Sequence, residues 1–172
     1  MVVAVRNRQR TVRLLTDAVS DFVRTALRFA LAKTVPRGHR ADTAWHVEVS
    51  VMFVNDRTMR AFNRDYRAKD KTTDVLSFPQ IEDSRTLAGM IPGFSGDGQI
   101  ALGDIVISIP QAVRQAAELH VSLSDEISRL LVHGVLHLVG YDHERSISDD
   151  HAMRRFENSI LRRIGKNPLC LN

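Results

Sequence analysis

The sequence predicts an α+β fold: a single domain, residues 1–172, with a small mixed β-sheet of about four strands packed against about five to six helices. Two observations predict it. Stretches of alternating apolar residues read as strands, and stretches with apolar residues three and four apart read as helices. Their order is helix, strand, helix, strand, strand and then three helices, which is a layered α+β or mixed arrangement rather than a regular β-α-β alternation. A chain of 172 residues suits one domain of ordinary size.

The elements follow in order. From Thr11 to Lys33, Leu15, Val19, Phe22, Val23, Ala26 and Ala30 recur at helical spacing with arginines between them, and Pro36 lies just beyond. His39 to Thr43 is polar and reads as a loop. Val47, Val49, Val51 and Phe53 alternate with Glu48, Ser50 and Met52, which predicts a strand with one face on the core. Asn55-Asp56 can cap a short helix in which Met59, Phe62 and Tyr66 share a face. Asp74 to Phe78 reads as a strand closed by Pro79. Residues 80–99 contain Gly89, Gly93, Gly96, Gly98 and Pro92, and are expected to form a long mobile loop. Asp104 to Ile107 is a third strand. Ser108, with Pro110 two residues on, opens a helix that runs to His120. Ser122 begins a capping box for a helix through Leu138. Ser148 is expected to open the last helix, in which Met153, Phe156, Ile160 and Ile164 line one side and Gly165 ends it.

Composition narrows the function classes. The one cysteine, Cys170, excludes a disulfide framework, a disulfide-linked partner and a Cys-based zinc cluster. No run approaches the ~18 apolar residues of a membrane span. The opening Met1–Arg6 segment is too short in apolar residues for a secretory signal, so the expected compartment is the cytoplasm; the alternative is an Arg-rich organelle presequence, since no acidic residue precedes Asp17, although serine is scarce there. The net charge of +4 fits a polyanionic partner such as nucleic acid, and equally fits simple solubility.

The segment His133-Gly134-Val135-Leu136-His137-Leu138-Val139-Gly140-Tyr141-Asp142-His143 carries the chemistry. Residues four apart on a helix lie ~40° apart in projection and ~6 Å along the axis, so His133 and His137 can reach one ion. Gly140 can end the helix and turn the chain, returning His143 to the same ion. Three imidazoles with no fourth protein ligand is how catalytic zinc is held, whereas structural zinc is usually closed by four ligands. His39, His46, His120 and His151 have no partner at matching spacing and read as ordinary histidines. The spacing H-x-x-x-H-x-x-G-x-x-H is that of the metzincin peptidases, but those place a glutamate directly after the first histidine as general base. Here that position is Gly134, which argues against peptidase chemistry.

The same segment resembles the H-G-x-L-H-L-x-G-Y-D-H signature of the YbeY family of metal-dependent endoribonucleases. Asn63 to Pro79 (NRDYRAKDKTTDVLSFP) is similar to that family's N-x-x-Y-R-x-x-D-x-x-T-D-V-L-S-F segment, and Leu102 to Ser108 (LGDIVIS) to its L-G-D-I-x-I-S strand. The resemblance implies zinc-dependent cleavage of RNA phosphodiester bonds in ribosomal RNA maturation and ribosome quality control, with one Zn2+ on His133, His137 and His143 and with ribosomal RNA and ribosomal subunits as partners. Developing charge on the phosphoryl oxygens needs a cation, and Arg67, a planar guanidinium where the family carries its arginine, is the candidate. Asp74 and Asp104 read as local backbone caps or as acceptors behind a ligand histidine. Aromatic residues are few, and the basic runs at Arg57–Lys71 and Arg154–Lys166 give no expectation of a base-stacking platform. Two other readings stay open: a zinc hydrolase of another substrate class, and an RNA- or ribosome-binding assembly factor whose metal is structural.

Overall fold

The computed structural model describes residues 1–34, 47–81, 83–93, 100–141 and 146–171. The chain begins with strand β1 (Val2–Asn7), a two-residue strand β2 (Arg13–Leu14) and helix α1 (Thr16–Thr34), then β3 (Val47–Val54) and α2 (Asp56–Arg67). The edge strand β4 (Val75–Pro79), α3 (Ser84–Gly93) and β5 (Ile100–Ser108) follow. Three consecutive helices, α4 (Ile109–Glu118), α5 (Leu123–Leu138) and α6 (Ile147–Ile164), lead to the short β6 (Cys170–Leu171). The main sheet has the order β1-β3-β5-β4, with β1, β3 and β5 parallel and β4 antiparallel to β5. It is the α+β fold expected, with a four-stranded mixed sheet and six helices among the described residues.

Side-chain alternation divides the sheet into two faces. Val3, Val49, Val51, Phe53, Ile105 and Ile107 point to one side, where Val19, Phe22, Val23 and Leu27 of α1 and Leu130, Leu131 and Val135 of α5 complete the main core. Burying each such side chain fully contributes about 1.5–3 kcal/mol. The other face carries a smaller cluster. Val54, Leu76 and Val106 pack under Met59 of α2, with Met52, Phe62 and Phe78 partly buried around them.

Four elements depart from the sequence expectation, each for a physical reason. The first helix starts at Thr16 rather than Thr11 because Leu14 pairs with Cys170 in a two-stranded ribbon. The turn before it is held by the buried Gln9, whose Oε1 accepts from the backbone N–H groups of Thr11 and Val12. The opening apolar run forms β1, which its own six residues do not announce and which pairing with β3 creates. Within 80–99, expected to be loop, Ser84–Gly93 form α3. Asp83 accepts from Thr86 N–H at 2.7 Å, and Leu87 is fully buried in the main core. Finally, α6 is capped by Ser146, not Ser148; its Oγ accepts from Asp149 N–H. The other expected caps, Asn55, Ser108 and Ser122, sit where the sequence puts them. Among the described residues no helix is long and apolar enough to cross a membrane.

Candidate metal centre

Helix α5 is the element that builds the site. Arg129, His133 and His137 follow one another at intervals of four and so share a face. The opposite side of the helix lies on the sheet. There the hydrogen of Gly134 replaces a side chain that does not fit: a Cβ would stand 2.8 Å from Cγ2 of Ile105. This position therefore points into the core, where no glutamate can be accommodated, and the absence of a peptidase-type base is structural as well as chemical.

The two histidines turn their Nε2 atoms toward each other at 3.1 Å, with ring centroids 4.6 Å apart. Two nitrogens held at about 2.0–2.1 Å from one tetrahedral zinc stand about 3.3 Å apart, so the pair fits a shared ion with little adjustment. On its far side, Nδ1 of His133 lies 2.7 Å from Oε1 of Glu157, which arrives from α6. A carboxylate at Nδ1 is an acceptor for that ring N–H, an arrangement that directs Nε2 to the site. A carboxylate behind a ligand histidine fixes tautomer and ring orientation together.

The end of α5 is shaped for a sharp return. Gly140 N–H donates to the carbonyl of His137, and Tyr141 N–H to that of Leu136, the paired bonds of a Schellman turn. Gly140 has φ +90°, and a Cβ there would collide with the backbone at Ser84, so glycine is required twice over. His143, Asp142 and Glu144 lie outside the described residues, as do His39 and His46. Among the described residues no three His, Cys, Asp or Glu side chains converge on one point. A zinc ion on the α5 pair would need a further donor from elsewhere in the chain. His120 and His151 are exposed on other elements.

Arg67 is the exposed last residue of α2, followed by Ala68 in the left-handed conformation (φ 55°), on a different element from the histidines. Asp74 behaves as a cap. Its carboxylate accepts from Val75 N–H at 2.9 Å, Thr73 Oγ1 at 3.1 Å and Gln115 Nε2 at 3.1 Å. Burial raises its pKa, but the bonds from Gln115, Val75 and Thr73 outweigh this and hold the carboxyl below its usual value. Arg129, one turn before His133, is held bidentate by the buried Glu126 and lies 3.7 Å from Asp74. Asp104 faces the α2 side of the sheet, away from the histidines, so the acceptor behind His133 is Glu157. Sequence reasoning missed Glu157 because it lies 24 residues from His133 in a helix whose legible signal is its buried apolar side.

A sequence model of endoribonuclease YbeY matches residues 4–165. The chain belongs to the endoribonuclease YbeY family. Curated relatives of that name include one from Rhizorhabdus wittichii, 40% identical over 152 residues and covering 85% of each chain. Another, from Geobacillus thermodenitrificans, is 44% identical over 149 residues, covering 87% of this chain and 86% of the relative. A third, from Leptospira interrogans, is 48% identical over 119 residues, covering 66% of this chain and 84% of the relative. Among solved structures, a Thermotoga maritima protein determined in solution superposes with a TM-score of 0.52 at 20% identity, covering 92% of this chain and 89% of that one; it supports the fold alone. YbeY proteins are named as endoribonucleases, enzymes of the hydrolase class. Membership agrees with the resemblance carried by the histidine segment, the Asn63–Pro79 segment and the strand now seen as β5.

Proposed function

We propose that this chain cleaves RNA phosphodiester bonds internally, in ribosomal RNA maturation and ribosome quality control in the cytoplasm, with one zinc ion held by His133, His137 and His143. The observation that carries the reading is the 3.1 Å convergence of the two Nε2 atoms with Glu157 locking His133 from behind. A zinc ion bound there supplies a water whose pKa is near 7 and a Lewis acid for a phosphoryl oxygen. The chain's own residues do the rest. Glu157 holds the His133 ring so that its lone pair needs no reorientation. Gly134 lets α5 approach the sheet closely, which fixes the histidine face relative to the edge strand β4. Arg67 supplies a permanent positive charge for the phosphate. Basic residues of α2 guide a polyanion toward the site, although Arg60 and Arg64 are partly neutralised by ion pairs with Asp70 and Asp65.

The test is cleavage of a structured ribosomal RNA precursor by the wild-type and His137→Ala proteins, with and without chelator, alongside metal analysis. The reading expects about one zinc per chain, loss of cleavage in the variant and on chelation, and retained fold and RNA affinity. Undiminished cleavage by His137→Ala would remove the histidine pair from the reaction. A variant that no longer cleaves yet still fulfils the biological role would favour an assembly factor instead.

A further inference from the structure

We infer that the half-covered face of the sheet beside α2 is a seat for an unpaired base of the RNA, with a preference for guanine. The inference rests on the endoribonuclease reading for its ligand class, but on separate residues. Across the sheet, Phe78 of β4 stands opposite Asp104 of β5, and Leu76 opposite Val106, which in turn neighbours Met52 of β3. Helix α2 covers only part of this face. Between helix and sheet lies a groove of about 340 Å³ lined by Met52, Phe62, Tyr66, Phe78, Asp104 and Val106.

Three rings meet in it. Tyr66 lies edge-on to Phe78 with centroids 5.1 Å apart, and tilted to Phe62 at 6.1 Å. Tyr66 is 66% exposed, so its ring is open to a ligand. Such a cluster is the kind of surface on which a base can stack, although the basic runs alone carry no expectation of one. Phe62 and Tyr66 are four residues apart on α2, and only the pairing of β4 with β5 brings Phe78 to them. The Asp104 carboxylate makes no hydrogen bond or ion pair with any described residue. A groove meant only for apolar side chains would not place an uncommitted acceptor on its floor.

Ring faces stack a flat base, and a carboxylate accepts from base N–H donors. Guanine, with N1–H and N2–H side by side, offers two donors to one carboxylate; uracil offers one. The rim decides between a base and a cationic protein side chain, which rings and a carboxylate also attract. Arg67 and Lys69 follow Tyr66 closely at the end of α2, and Arg6 stands beside Met52 on the same sheet face. Clustered cations repel a basic peptide and attract phosphates. The groove and the histidine pair lie on opposite faces of the sheet with the edge strand β4 between them. A strand of RNA passing over that edge engages both.

The test uses the His137→Ala protein, so that RNA is not cut during the measurement, with fluorescence anisotropy of two labelled octaribonucleotides, U8 and U8 carrying one central G. Replacement of an aromatic stacking residue by alanine weakens binding about 5- to 150-fold, and this loss is expected for Tyr66→Ala, with Tyr66→Phe retaining affinity. Asp104→Asn is expected to erase the preference for the G-containing strand while leaving U8 affinity near wild type. An unchanged melting temperature for Tyr66→Ala, whose side chain is exposed, separates lost binding from lost fold. Unaltered binding by both Tyr66→Ala and Phe78→Ala overturns the proposal. So does failure of the parent protein to bind either strand, or tighter binding of an arginine-rich peptide than of RNA. Because the readout is binding, it stands even if His137→Ala unexpectedly retains cleavage, a result that would refute the catalytic reading alone.

Discussion

Replacing Glu157 tests the proposed zinc site through a residue that would not itself touch the ion. Oε1 of Glu157 and Nδ1 of His133 are 2.7 Å apart, and the two side chains are only 12% and 21% exposed, so water competes poorly for either partner. Mutating the partner behind a ligand histidine typically costs 10- to 100-fold in metal affinity, about 1.4–2.7 kcal/mol. The two variants should fall at opposite ends of that range. Glu157→Gln keeps a neutral acceptor of the same shape and loses only the charge assistance, which roughly halves the bond; its zinc affinity should fall about tenfold. Glu157→Ala frees the ring to rotate and to change tautomer, and should lose about a hundredfold. Competition for zinc against a chromophoric chelator at neutral pH measures both, and melting curves of the metal-free proteins show whether folding is spared. Zinc affinities of both variants within twofold of wild type would refute the argument that α6 positions the metal ligand.

Arg67→Ala should lower cleavage turnover while leaving the melting temperature nearly unchanged, because the side chain is exposed; undiminished turnover removes Arg67 from the mechanism. Gly134→Glu, which restores the peptidase-like motif, should cost at least about 3 kcal/mol in urea unfolding, since it drives a carboxylate against Ile105 in the core. A variant of normal stability would show that the packing argument is wrong. Gly140→Ala should destabilise by about 1–3 kcal/mol from its positive φ alone, with a further loss from contact with Ser84; equal stability would contradict the turn geometry. Asp74 has a folded pKa below its unfolded value. Its contribution is therefore present above about pH 4 and lost as pH falls through the folded pKa. Asp74→Asn should flatten the fall in stability below pH 4, and an unchanged acid limb would discount the network around it.

Local signals made much of this molecule readable before its structure. Asn55, Ser108 and Ser122 announce their helices because each cap acts within three residues of itself. His133 and His137 are legible because the helix repeat alone brings them together. What escaped depends on contacts distant in sequence. β1 exists because Val3 and Val5 find β3 more than forty positions away. α3 exists despite its glycines because Leu87 has a core to enter, and glycine's modest helix penalty is smaller than the gain from burying a leucine. Glu157 meets His133 only after the chain has turned at Gly140 and run half of another helix. The aromatic groove needs β4 laid against β5.

The ribbon of β2 and β6 links these distant parts through the chain's tail. Leu15 N–H donates to the carbonyl of Leu169, Leu169 N–H donates to Ser124 Oγ at the start of α5, and Cys170 is buried opposite Leu14. Leu169 and Cys170, in the segment that follows α6, thus tie the helix that carries Glu157 to the start of the helix that carries the histidines. Cutting the chain before Leu169 would remove this tie, and the proposed histidine site would lose its alignment with Glu157 while every candidate ligand stayed in place.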